Sequence, residues 1–169
     1  IFLLAFAMIL SLIPIASVQA AAKDIKIISD TEVTAKEARK WAESRGATEA
    51  FMDLAELYWE YAPDHGDVNP AIAYVQAAKE TGYGKFGGVI DESYHNPCGL
   101  KTTEGGDNYD PTAHQKFDTW AEGVQAHLDH LALYAGVKGY PRSDSYDPRN
   151  FVTIKGKATT VNALSGNWA

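Results

Sequence analysis

The side chain best placed for chemistry is Glu80, in the string Lys79-Glu80-Thr81-Gly82-Tyr83-Gly84. It falls in the last turn of an expected helix, where the negative end of the helix dipole disfavours an ionised carboxylate. Tyr83 and Phe86 follow closely and can exclude water, which pushes the carboxyl the same way. Both effects favour a protonated glutamate near neutral pH, the state a general acid needs to hand a proton to a departing oxygen. Gly82, Gly84, Gly87 and Gly88 remove side chains beside it and let a polymer approach the backbone. The same pattern describes an exposed helix-end glutamate before an ordinary C-cap glycine. The rest of the chain decides between them.

The elements that must hold Glu80 can be read from caps and spacing. Asn69-Pro70 gives an N-cap with proline at the first helical position, predicting a helix through Ala71, Ile72, Val75, Ala78 and Lys79 that stops at Gly82. Its alanines allow close approach of neighbours, which places it in the core. Thr34-Ala35-Lys36-Glu37 is a capping box for a helix over 35–45. Thr48 opens another, with Phe51, Leu54, Ala55, Tyr58 and Tyr61 on one face and a stop before Pro63. Thr119-Trp120-Ala121-Glu122 caps a fourth, running to Gly136, and a short helix is expected near 160–164. Between Gly82 and Asp118 the turn residues accumulate. The pieces 98–103 and 113–117 predict a small antiparallel β-hairpin with a long turn through Gly105-Gly106-Asp107-Asn108. The expected fold class is α+β, mainly helical with that one hairpin lobe, in a single domain.

Three strings, in order, resemble the bacterial glucosaminidase family of peptidoglycan hydrolases, over roughly residues 35–169. The first runs from Asn69-Pro70-Ala71-Ile72-Ala73 through Gln76-Ala77-Ala78-Lys79-Glu80-Thr81-Gly82-Tyr83-Gly84, where the family has a proline-led helix ending in Glu-Thr/Ser-Gly-Trp/Tyr-Gly. The second is Asn96-Pro97-Cys98-Gly99-Leu100-Lys101, and the third Lys116-Phe117-Asp118-Thr119-Trp120-Ala121-Glu122-Gly123. The resemblance implies a lysozyme-like fold, hydrolysis of β-1,4 bonds after N-acetylglucosamine in wall glycan, and Glu80 as the essential acid. It implies a second carboxylate after the Asn96 string, with Glu104 ranked first, Asp110 second and Asp107 also eligible. Widely separated acids would mean an inverting path or help from the substrate's N-acetyl group, not a covalent intermediate. Tyr83 stands where the family usually has Trp and keeps an aromatic wall. Cys98, where an aromatic is usual, is expected to fill the core. Trp168 matches an aromatic that often lines the cleft, and the chain is read as truncated before a closing helix. His95, Asn96 and Tyr109 complete the expected substrate contacts. A lytic transglycosylase of the same fold and a non-catalytic wall-binding module are the alternatives.

The remaining features bound the partners. The 169 residues carry a formal net charge of −7, an acidic balance that disfavours nucleic acid and anionic membranes and suits a glycan. Residues 1–18 hold no charge and lead to Ser17-Val18-Gln19-Ala20, read as a signal peptide cleaved after Ala20, clipped at its front. A retained membrane anchor is the alternative. Residues 21–33 are read as a leader and 34–169 as the catalytic domain. Export to the cell exterior or wall, a monomer, and no cofactor are expected. Cys98 is the single cysteine, so no internal disulfide can form. His127 and His130 lie one turn apart but lack a third ligand, so a histidine pair satisfied in the core or by solvent is expected, not a metal site.

Overall fold

The structure, a computed structural model, describes residues 24–168. The expected signal peptide and its cleavage point lie outside those residues, as does Ala169. Among the described residues five α-helices follow one another: α1 Ala35–Ser44, α2 Glu49–Tyr61, α3 Pro70–Thr81, α4 Trp120–Ala135 and α5 Val161–Ser165. None of them is long and apolar enough to cross a membrane.

Each start is fixed by a side chain that accepts from an otherwise unpaired N–H of the first turn. Thr34 and Glu37 form the capping box of α1, and Thr48, Thr119 and Thr160 cap α2, α4 and α5. Asn69 does two jobs. Its Oδ1 accepts from Ala71 and Ile72 of α3, while its Nδ2 donates to Ser29 Oγ and to the Asp30 carbonyl, each at 3.1 Å. That second pair of bonds ties residues 24–33 to the helix that carries Glu80. Within this segment Ile27 is fully buried, and single antiparallel bridges join Lys26 to Thr160 and Ile28 to Val68.

The expected hairpin lobe is not there. No strand or sheet is present among the described residues, and between 98 and 117 only one bridge forms, Lys101 with His114. Thr102 N–H reaches the Ala113 carbonyl at 2.9 Å and Gln115 N–H reaches Leu100 at 2.8 Å, but the ladder ends at both sides. At one end the Asn96 carboxamide donates to both the Leu100 and Gln115 carbonyls. At the other, a turn at Thr102–Gly105 and a 3₁₀ turn at Pro111–Ala113 consume the next backbone groups. Proline has no N–H to offer a ladder. The fold is therefore helical, with irregular loops where a β-lobe was expected.

Ala73, Ala77 and Ala78 place α3 in the core, as their small side chains predict. α3 buries one face only, through Ala73, Tyr74, Ala77, Ala78 and Thr81. Phe51 stacks on Tyr74 with ring centroids 4.8 Å apart, and Tyr58 meets the same ring edge-on. The helix enclosed on nearly all sides is α4, whose buried run from Ala126 to Tyr134 includes His127, Asp129 and His130. The sequence leaves open whether its histidine pair is satisfied in the core or by solvent, and the structure places the pair and Asp129 inside. They are buried because each meets a partner from a distant element.

Candidate active site

Glu80 stands where α3 ends. Gly82 adopts the left-handed C-cap conformation (φ 59°) and returns its N–H to the Ala78 carbonyl, so the chain turns away immediately after the glutamate. Gly84 lies against α2, where a Cβ would fall 2.3 Å from Thr48 Oγ1 and 2.6 Å from Phe51 Cβ. That glycine serves the packing of the turn onto α2. Gly82, Gly87 and Gly88 have open space where a side chain would stand, so the surroundings of the turn are clear for a large ligand.

The open face of α3 carries Ile72, Val75, Gln76, Lys79 and Glu80, and forms one wall of a groove of about 760 Å³. Val161, Leu164 and Ser165 of α5, Trp168, Ile25 and Val33 also line it. Glu80 is solvent-accessible, yet it stands on a concave wall where protein atoms displace much of its hydration. This desolvation raises its carboxyl above the ordinary value, with Lys79 pulling modestly the other way. No side chain among the described residues donates a hydrogen bond to it. Its charge is felt inward as well: burial pushes the Cys98 thiol far up, and the negative charges of Asp147 and Glu80 add to that. Cys98 fills a small core with Leu100, Phe117 and Ala126.

Asn96 is wholly buried and faces no solvent. Its Oδ1 accepts from Leu100 N–H at 3.0 Å and Cys98 N–H at 3.4 Å, and its Nδ2 donates to the Leu100 and Gln115 carbonyls at 2.8 and 2.9 Å. One carboxamide thus holds both stems of the 101–114 loop. His95 adopts a left-handed conformation (φ 48°), sets Nδ1 3.0 Å from the Phe117 carbonyl, and meets Trp120 edge-on at 5.3 Å. Gly123 explains how close α4 comes: a Cβ there would fall 1.9 Å from the His95 carbonyl oxygen. Phe86 stacks beside Trp120 at 6.5 Å, so Phe86, Trp120 and His95 form a half-buried aromatic cluster between the glycine-rich turn and α4.

The acids of the 101–114 loop differ in what occupies them. Asp110 caps the 3₁₀ turn, accepting from Thr112 N–H and Oγ1–H at 2.8 and 2.7 Å, and those bonds hold its carboxyl below the ordinary value. Asp107 accepts from Tyr109 N–H at 2.7 Å. Glu104 is exposed at the loop's outer end, next to Thr103, whose carbonyl takes Arg149 Nη1 and whose hydroxyl donates to the Pro148 carbonyl. None of these acids lines the groove that contains Glu80. Tyr109 is 85% exposed. Tyr83 packs on Trp41 at 5.7 Å behind the turn. Trp168 does line the groove, and its ring also meets His127, His130 and Tyr134.

The histidine pair of α4 is satisfied inside the core. His127 Nδ1 lies 2.7 Å from Tyr58 Oη and its Nε2 lies 3.3 Å from Gln76 Oε1. His130 Nδ1 is 2.7 Å from Asp147 Oδ2. Among the described residues no three His, Cys, Asp or Glu side chains come together to hold a metal ion. Gln76 and Lys79 were not singled out by sequence reasoning, although counting back from Glu80 by one turn finds Gln76 on the same face. What spacing does not reveal is that a buried histidine fixes that glutamine from behind.

Comparison with known proteins places these features in a wider set. A family model described as mannosyl-glycoprotein endo-beta-N-acetylglucosaminidase matches residues 55–165. A protein of Borreliella burgdorferi described as "Uncharacterized protein" is 35% identical over 102 residues, covering 60% of this chain. The matched stretch spans 47% of that relative's length. No solved structure matches.

Proposed function

The chain belongs to the mannosyl-glycoprotein endo-beta-N-acetylglucosaminidase family, and from that premise we propose that it hydrolyses β-1,4 bonds after N-acetylglucosamine in peptidoglycan, with Glu80 as general acid. The placement of Glu80 carries this reading: an unpartnered carboxyl on a groove wall, raised by desolvation, beside a glycine-cleared turn. A carboxyl so placed keeps its proton further toward neutral pH and can deliver it to the glycosidic oxygen as the C1–O bond breaks. Water then adds to C1, and its proton passes to a base. Glu104 is the base we propose, because Asp110 and Asp107 are engaged in backbone capping while Glu104 is not. With Glu104 outside the Glu80 groove, a water-mediated path or assistance from the substrate acetamido group suits the arrangement better than a covalent glycosyl intermediate. Stacking on the Phe86–Trp120 cluster and Tyr109 would hold sugar faces. Export to the cell surface and action on the wall as a monomer belong to the same proposal.

The test is digestion of purified peptidoglycan followed by mass spectrometry of the products. New reducing-end N-acetylglucosamine is expected. Anhydro products, lighter by one water, would show a transglycosylase instead, and wall binding with no release of sugar would show a binding module. Glu104→Gln is expected to slow release about 100-fold, and Asp110→Asn only slightly. Normal rates in Glu104→Gln would remove Glu104 from the mechanism.

A further inference from the structure

Tyr58 is fully buried, and within hydrogen-bonding reach its hydroxyl meets the His127 Nδ1 at 2.7 Å. A buried phenol left without an acceptor would forfeit a hydrogen bond, and burial pushes the Tyr58 hydroxyl far above its ordinary pKa, so it keeps its proton and donates. His127 is buried and neutral, since burial and the neighbouring His130 depress it to about 3. With Nδ1 accepting, the single ring proton of neutral His127 must sit on Nε2. That N–H faces Gln76 Oε1 at 3.3 Å. A rotated carboxamide would set its own N–H group against this donor, so the orientation of Gln76 is dictated from the core. Its NH₂ group is directed away from His127, on a helix face that opens into the groove, one turn before Glu80. Among the described residues that NH₂ group has no acceptor.

We propose that Gln76 is a substrate-binding residue that donates to the carbonyl oxygen of an N-acetyl group on the sugar beside the scissile bond. This rests on the glycosidase reading and deepens it. A donor held in advance on the groove-lining face selects for acceptors. The acetamido carbonyl is the strongest neutral acceptor on an amino-sugar polymer. The Tyr58–His127 pair is then a positioning device: it holds the carboxamide in one orientation before substrate arrives, so little freedom is lost on binding.

The experiment measures binding of a β-1,4-linked N-acetylglucosamine tetramer and a β-1,4-linked glucose tetramer by calorimetry, in a chain inactivated by Glu80→Gln. Glu80→Gln alone is expected to prefer the acetylated tetramer. Adding Gln76→Leu or Gln76→Glu is expected to reduce the ratio of the two affinities about tenfold, the scale of one neutral hydrogen bond. Gln76→Glu keeps the shape and an oxygen for His127 while removing the donors, so it guards against a packing effect of leucine. Adding Tyr58→Phe, which releases the histidine tautomer, is expected to reduce the ratio less. An unchanged ratio in both Gln76 variants, with unchanged melting temperature, overturns the role of Gln76 and leaves the glycosidase reading standing. Binding of neither tetramer by Glu80→Gln, together with no sugar release by the unmutated chain, overturns both.

Discussion

Asp129 and Glu80 sit on adjacent packed helices and respond to burial in opposite directions. Asp129 is 1% exposed, and burial pushes its carboxyl up. Hydrogen bonds from His65 at 2.7 Å, Ser145 at 2.5 Å and Tyr140 at 2.7 Å more than offset that, and the net shift is downward. Glu80 is far more accessible, yet desolvation on the groove wall raises its carboxyl, and no donor offsets the shift. The contrast teaches that depth alone does not mark a reactive acid. A carboxylate surrounded by donors is a structural anion, and one left without donors on a groove wall is available to transfer a proton.

The comparison breaks most visibly in activity. Glu80→Gln is expected to lower release of reducing sugar at least 100-fold, the usual weight of a general acid. Its stability should move the other way. A folded-state carboxyl raised above its unfolded value costs stability as pH rises beyond roughly 4. The melting temperature of Glu80→Gln at pH 7 should therefore equal or exceed that of the unmutated chain, and a clear fall would mean that Glu80 is a structural acid.

Asp129→Asn should give the mirror image, a loss of about 3 kcal/mol in denaturant unfolding at pH 7, since it leaves a buried network half-paired. Because the Asp129 carboxyl is lowered on folding, its contribution is present above roughly pH 4 and disappears as pH falls through the folded value. Activity per folded molecule should survive. Lost turnover with intact stability would place Asp129 in the chemistry. Asn96→Ala should cost about 2 kcal/mol by leaving buried backbone groups unpaired, and should expose the 101–114 loop to limited proteolysis. Protection equal to the unmutated chain would show that the loop stems hold without the clasp. The smallest effect sharpens the Glu80 side alone. Lys79 lowers the Glu80 carboxyl, so Lys79→Met should move the alkaline limb of kcat/KM to higher pH. Movement to lower pH would show that another group supplies the proton.

Much of this molecule is legible in one dimension. The caps at Thr34, Thr48, Asn69 and Thr119 place four helices because capping is a contact between residues two or three apart. The same locality marks Glu80, whose helix end and glycines are all within eight positions. The 98–117 segment misleads for the opposite reason. Its β-branched and apolar pieces resemble strands, but a ladder needs successive backbone partners, and Asn96 and Pro111 divert them. Whether the polar residues of α4 face core or solvent stays open until their partners are known: Tyr58, 69 positions before His127, and His65, 64 before Asp129.

The sequence by itself determined where the helices begin and end, and which carboxylate stands at the end of α3, because those are short-range properties of backbone and cap. Only the tertiary structure decided that Glu80 is a desolvated acid without donors on a groove wall, that Asn96 is a clasp, and that Gln76 is oriented from the core. Those are statements about what is absent from or present around a side chain in space, and packing alone sets them.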